Sequence, residues 1–192
     1  ITKWNLARFA ETLLPLIDKT KDKSIRIATE TINQFDEIFN KNWLEMMKKK
    51  LGLFGKKKED EKLIGILLSL MQKYKVDYTN TFCSLMNIET KKNKMFESKE
   101  FTDWHLNWEE RLKENNKSQE ESLKLMQINN PLIIPRNHKV EEALEAANND
   151  DLNPMNNLLK VLEKPYENQE QIINYQSPAP ASSEKYQTFC GT

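Results

Sequence analysis

Few residues in this chain have the types and spacing to do chemistry, and they concentrate in "NNPLIIPRNHKVEEAL", residues 129–144. There Pro131 and Pro135 bracket Leu132, Ile133 and Ile134, and Arg136, Asn137 and His138 follow directly. One chemistry for such a group is general acid–base catalysis by His138, which needs an orienting carboxylate and a nucleophile nearby. No such pair can be identified from the sequence. The other reading is a structural joint. Each proline fixes its own φ and pushes the residue before it out of helix, so the segment runs extended and Leu132 to Ile134 anchor it. Asn137 then caps a helix beginning at His138, Glu141 suits that helix's positive first turn, and Arg136 bonds carbonyls left open at a neighbouring helix end. The joint is the stronger reading.

Other candidates give less. "GLFGKKK", residues 52–58, has two glycines before a lysine, but a phosphate-binding loop needs a longer glycine spacing, a Ser or Thr after the Lys and a preceding strand. It reads as a solvated helix end. The lysine clusters 48–50 and 56–58 lack interleaved aromatics. Trp104, His105 and Trp108 could stack on a ligand, but at helical spacing with Phe101 and Leu112 the tryptophans read as core, with His105 off the buried stripe. Cys83 and Cys190 with His105 and His138 do not make a zinc spacing, and two cysteines make no disulfide framework. A reducing, cytosolic setting is expected.

The elements that must position these residues are helices. Of 192 residues, 30% are charged and only four are Gly, a composition of amphipathic helices rather than a sheet. Lys plus Arg equals Asp plus Glu at 29 each, so no net field points to nucleic acid or an anionic membrane. No apolar run approaches the roughly 20 residues of a membrane span. The spacing predicts a first helix carrying Trp4, Ala7, Leu14 and Ile17, with a kink or stop at Pro15. It then predicts one long helix with a continuous buried stripe through Ile25, Ala28, Ile32, Phe35, Phe39, Trp43 and Met46. Further helices are expected over about 59–74, from an Asp77 cap to about Asn87, through Phe101 to Leu112, and after a Ser118–Glu121 capping box. Two more carry Val140 to Ala147 and Leu158 to Leu162, the second capped by Asn153 with Pro154 in its first position. The expected division is a helical region, 1–165, and an extended Pro- and Ser-rich tail, 166–192, either mobile or laid along another surface. An N-terminus that starts in helical pattern without Met reads as an internal cut in a longer protein.

Six segments carry a resemblance: "WNLARFAETLLPLI" (4–17), "KLGL" (50–53), "DYTNTF" (77–82), "NPLIIPRNHKVEEAL" (130–144), "KPY" (164–166) and "YQTFCGT" (186–192). In this order and spacing the chain resembles the C-terminal part of the selenoprotein O family. The resemblance implies an all-α portion of a protein kinase-like fold. It also implies a parent enzyme that binds ATP and magnesium and transfers AMP to Ser, Thr or Tyr hydroxyls of proteins. The family's nucleotide lobe and catalytic loop would lie upstream of "WNLAR", so no catalytic, cofactor-binding or metal residue carries over. This chain alone is expected to bind no cofactor and to be inactive. One position does transfer: Cys190, where family members hold selenocysteine or cysteine, is a candidate redox thiol that would pair with an upstream cysteine. The implied partners are the upstream catalytic lobe and protein substrates, with no nucleic acid or membrane, in a monomer of the bacterial cytoplasm. The competing class is a stand-alone helical interaction module without catalysis.

Overall fold

The structure, a computed structural model, describes residues 1–87, 93–169 and 172–179. Among these residues there are ten helices and no strand, and no helix is long and apolar enough to cross a membrane. The chain divides into two compact units, residues 1–47 and 48–192, with the boundary inside the third helix.

The first unit holds α1 (Thr2–Ile17), α2 (Lys21–Asn33) and most of α3 (Phe35–Lys50). α1 and α2 pack on each other. Pro15 lies inside α1, which continues to Ile17. So close to the C-terminal end, its missing N–H costs one bond of the last turn. The expected single long helix is two helices. Gln34 tightens into a turn, its N–H donating to Thr31 at 3.2 Å. The residues leading into it, Thr29, Thr31 and Ile32, are β-branched and weak helix formers, and the Thr31 hydroxyl donates to the Ile27 carbonyl at 2.8 Å. Nor is the stripe continuously buried, since Ile25, Phe39 and Met46 are exposed.

The second unit carries the main core. α3 ends in a Schellman turn: Leu53 N–H donates to Lys48 and Gly52 N–H to Lys49, with Gly52 at φ +69°. α4 (Asp60–Tyr74) packs on α6 (Lys99–Lys113), and α5 (Tyr78–Leu85) begins at Asp77, whose side chain accepts from Asn80 N–H as expected. Phe101, Trp104 and Trp108 are buried on α6. The two indoles stack at 5.8 Å and donate to the carbonyls of Leu63 and Leu51, both at 2.9 Å. The core reading of these aromatics holds. α7 (Gln119–Asn129) starts with the complete Ser118–Glu121 capping box.

α8 (Asn137–Asn148) and α9 (Asn153–Leu162) pack on each other, and α10 (Ile172–Gln176) is a short helix inside the stretch expected to be extended. Two caps differ from expectation by one residue. α8 starts at Asn137, with Arg136 in the cap position and no side-chain capping bond. α9 starts at Asn153, behind Leu152, and the Asp151 carboxylate accepts from Asn153 N–H at 3.0 Å. Asp151 therefore supplies the acceptor expected of Asn153.

Candidate functional site

The segment from 129 to 138 is where distant parts of the second unit meet. α7 ends at Asn129, and the chain then runs extended through Asn130 to Arg136 before α8 begins. The two prolines force that path. It leaves backbone groups without helical partners, and they are satisfied from elsewhere: Leu132 and Ile133 N–H both donate to the Pro165 carbonyl, at 2.7 and 3.3 Å. Leu132 and Ile133 are buried, so they are the expected anchors, whereas Ile134 is only partly covered.

Arg136 does not bond open helix carbonyls, as the sequence suggested. Its guanidinium forks onto Asp77, Nη1 to Oδ2 at 2.7 Å and Nη2 to Oδ1 at 3.0 Å, and reaches Asn80 Oδ1 at 3.3 Å. A planar five-donor fork matches a carboxylate better than scattered carbonyls do. Asp77 thus caps α5 and pins the residue before α8 at once. Burial alone would raise its pKa, but the Arg136 bonds and the α5 N–H groups outweigh burial and hold the carboxyl below its usual value. Asn80 extends the chain of contacts, its amide donating to the Gln176 carbonyl in α10 at 3.1 Å.

At the other end of the segment Asn130 is fully buried. Its amide donates to the carbonyls of Lys50 and Met126 at 2.8 and 2.9 Å, and its oxygen accepts from Lys50 Nζ at 3.2 Å. Lys50 also donates to the Asn129 carbonyl and lies 5.2 Å from the Phe82 ring centroid. Burial lowers its pKa. Beneath this bridge Cys83 is buried, its Sγ 3.8 Å from the Pro131 carbonyl, and burial pushes the thiol up to about 11.

Most polar groups here bond within the structure, although Arg136 Nε and Gln176 Nε2 are buried without a hydrogen-bond partner. Both Asp77 oxygens face Arg136, and the Lys50 ammonium faces two fixed oxygens. Asn137 is exposed. His138 is partly exposed on an open groove of about 490 Å³ with Lys139, Glu142, Pro154 and Tyr175. Burial, then neighbouring Lys139, lowers its pKa. Among the described residues no three His, Cys, Asp or Glu side chains converge to hold a metal ion. Cys190 lies outside the described residues.

A second polar cluster had no counterpart in the sequence reading. Buried Arg111 contacts Asp60 through Nε at 2.6 Å, Asn115 Oδ1 at 2.9 Å and the Phe54 carbonyl at 2.9 Å. Asn115 in turn donates to Gly52 O and Ser122 Oγ and accepts from Phe54 N–H. This network clamps the "GLFGKKK" turn, so its front half is a fixed corner rather than a solvated end, while Gly55 to Lys58 are exposed. The available signal was spacing: Arg111 continues the 101, 104, 108 stripe, where a charge has to be paired.

Comparison with known proteins adds the context that the geometry lacks. A family model described as "Protein adenylyltransferase SelO" matches residues 1–163. A "Protein nucleotidyltransferase YdiU" of Pelagibacter ubique is 48% identical over 192 residues, covering 100% of this chain and 40% of that protein. The protein of the same name from Clostridium botulinum is 49% identical over 191 residues, 98% of this chain and 39% of its own length. That of Bacillus mycoides is 44% identical over 190 residues, again 98% and 39%. This chain spans about two fifths of the length of these relatives.

Proposed function

The chain belongs to the SelO protein adenylyltransferase family, and on that premise we propose that it is the C-terminal helical part of a bacterial, cytoplasmic protein nucleotidyltransferase. The whole enzyme would transfer AMP from ATP to a Ser, Thr or Tyr hydroxyl of a protein: the hydroxyl oxygen bonds the α-phosphorus and pyrophosphate leaves. Such chemistry asks for cationic groups on the phosphates and carboxylate or amide ligands for magnesium. We assign those groups to the part of the longer protein that this chain does not span. This chain's share is to buttress a kinase-like catalytic lobe and to carry Cys190 as a redox thiol on a tail.

The family match across residues 1–163 carries this reading. The junction around Arg136 agrees with a supporting role, because Arg136 is paired with Asp77 and Lys50 bonds the oxygens of Asn129 and Asn130. The discriminating experiment compares residues 1–192 with the full-length protein. Calorimetry with magnesium and ATP should give no micromolar binding to residues 1–192, while the full-length protein should label proteins from ATP radiolabelled at the α-phosphate. Micromolar ATP binding by residues 1–192 would put the nucleotide site in this chain. A full-length protein that transfers the γ-phosphate instead would overturn the reaction type.

A further inference from the structure

One face of α1 is apolar and largely exposed. On a helix of 3.6 residues per turn, Thr2, Asn5, Leu6, Phe9, Thr12, Leu13 and Leu16 share one sector. Phe9 is 60% exposed, Leu16 83% and Leu6 40%. The sector contains no charged residue, in a chain where 30% of residues are charged. A solvated face at that composition carries charges, whereas the centre of an interface is depleted of them. Of its two hydroxyls, that of Thr12 is already spent, since Oγ1 donates to the Phe9 carbonyl at 2.7 Å. α1 has no fully buried residue of its own, and the buried hydrophobic residues of the first unit are Ala28 and Met47. A helix apolar on this face as well as toward α2 is one made to be enclosed.

We propose that this face seats the remaining part of the full-length protein, packing apolar side chains over Phe9 and Leu16. The inference rests on the reading of the chain as part of a longer nucleotidyltransferase. Two observations select this occupant. The family match takes in α1 from residue 1, so the helix belongs to the family's own body. The relatives carry about three fifths of their length beyond what this chain spans. A segment joined through the chain meets the face at an effective concentration on the order of millimolar, so it outcompetes a second copy.

The test uses single cysteines at Leu16→Cys and Thr12→Cys, with Lys124→Cys at an exposed position of α7 as reference, in full-length protein and in residues 1–192. Maleimide labelling is read by peptide mapping, so Cys83 and Cys190 are scored separately. Thr12→Cys removes little packing and guards against a folding defect at Leu16. In the full-length protein both α1 sites should label at least about 100-fold more slowly than position 124, and in residues 1–192 all three should label alike. Equal rates in the full-length protein overturn the inference. So does protection already present in residues 1–192, which means a second copy if it grows with concentration and the chain itself if it does not. AMP transfer is assayed on the same samples: protection without transfer removes the enzyme reading alone, and transfer without protection removes this inference alone.

Discussion

The Arg136–Asp77 pair shows how one residue can serve two helices. Removing either partner strands a partly buried charge, and Asp77 also caps α5, so Asp77→Ala should cost about 2–4 kcal/mol in urea unfolding. Its depressed pKa makes the effect pH-dependent in a defined direction. The contribution is full above the unfolded carboxyl value of about 3.9 and is lost as pH falls through the lower folded value. The stability gap between wild type and Asp77→Asn should therefore narrow only below about pH 4. Asn137, by contrast, makes no capping bond, so Asn137→Ala should stay within about 0.5 kcal/mol of wild type in the same measurement. A cysteine contrast belongs here too. Cys83, buried and with a thiol near 11, should resist a thiol reagent at pH 8 until the protein unfolds.

At the scale of the element, two glycines make opposite predictions for one substitution. Gly52 closes α3 at φ +69°, and a Cβ there would stand 2.8 Å from the Ser122 carbonyl oxygen. Gly52→Ala should destabilise by about 1–3 kcal/mol, because neither the backbone nor that carbonyl can give way freely. Gly65 sits inside α4, with nothing within 4 Å of where its Cβ would be. Gly65→Ala should stabilise by about 0.5–1 kcal/mol. Thermal unfolding of the two variants reads the sign directly. The same turn depends on the Arg111 clamp, so Arg111→Ala should cost about 3–5 kcal/mol by leaving Asp60 buried and unpaired.

For the whole molecule, the two units differ in what they bury. Residues 48–192 enclose aromatic and aliphatic side chains from α4 to α7, with two clamped turns, while residues 1–47 enclose little beyond Ala28 and Met47. Stability should be distributed accordingly. In residues 1–192 alone, hydrogen exchange should be fast throughout α1 and α2 and slow in α4 and α6. Protection of α1 equal to that of α6 in that chain would show that the first unit is stable without further cover.

Helical periodicity by itself determined the helical class, the buried face of α6, and the caps at Asp77 and Ser118, because these depend on neighbours three or four residues apart. Pro131 and Pro135 also marked the break between α7 and α8, since proline acts on its own backbone and on the residue before it. The family resemblance was legible in segments such as "WNLARFAETLLPLI" and "NPLIIPRNHKVEEAL". What the sequence could not determine was pairing. Arg136 meets Asp77 across 59 residues and Arg111 meets Asp60 across 51. Each arginine had many carboxylates available along the chain, and only the packing of α5 against the extended segment and of α4 against α6 selects one. The break at Gln34 was missed for a related reason. The apolar spacing runs unbroken across it, and a local tightening of the backbone leaves no trace in the side-chain period.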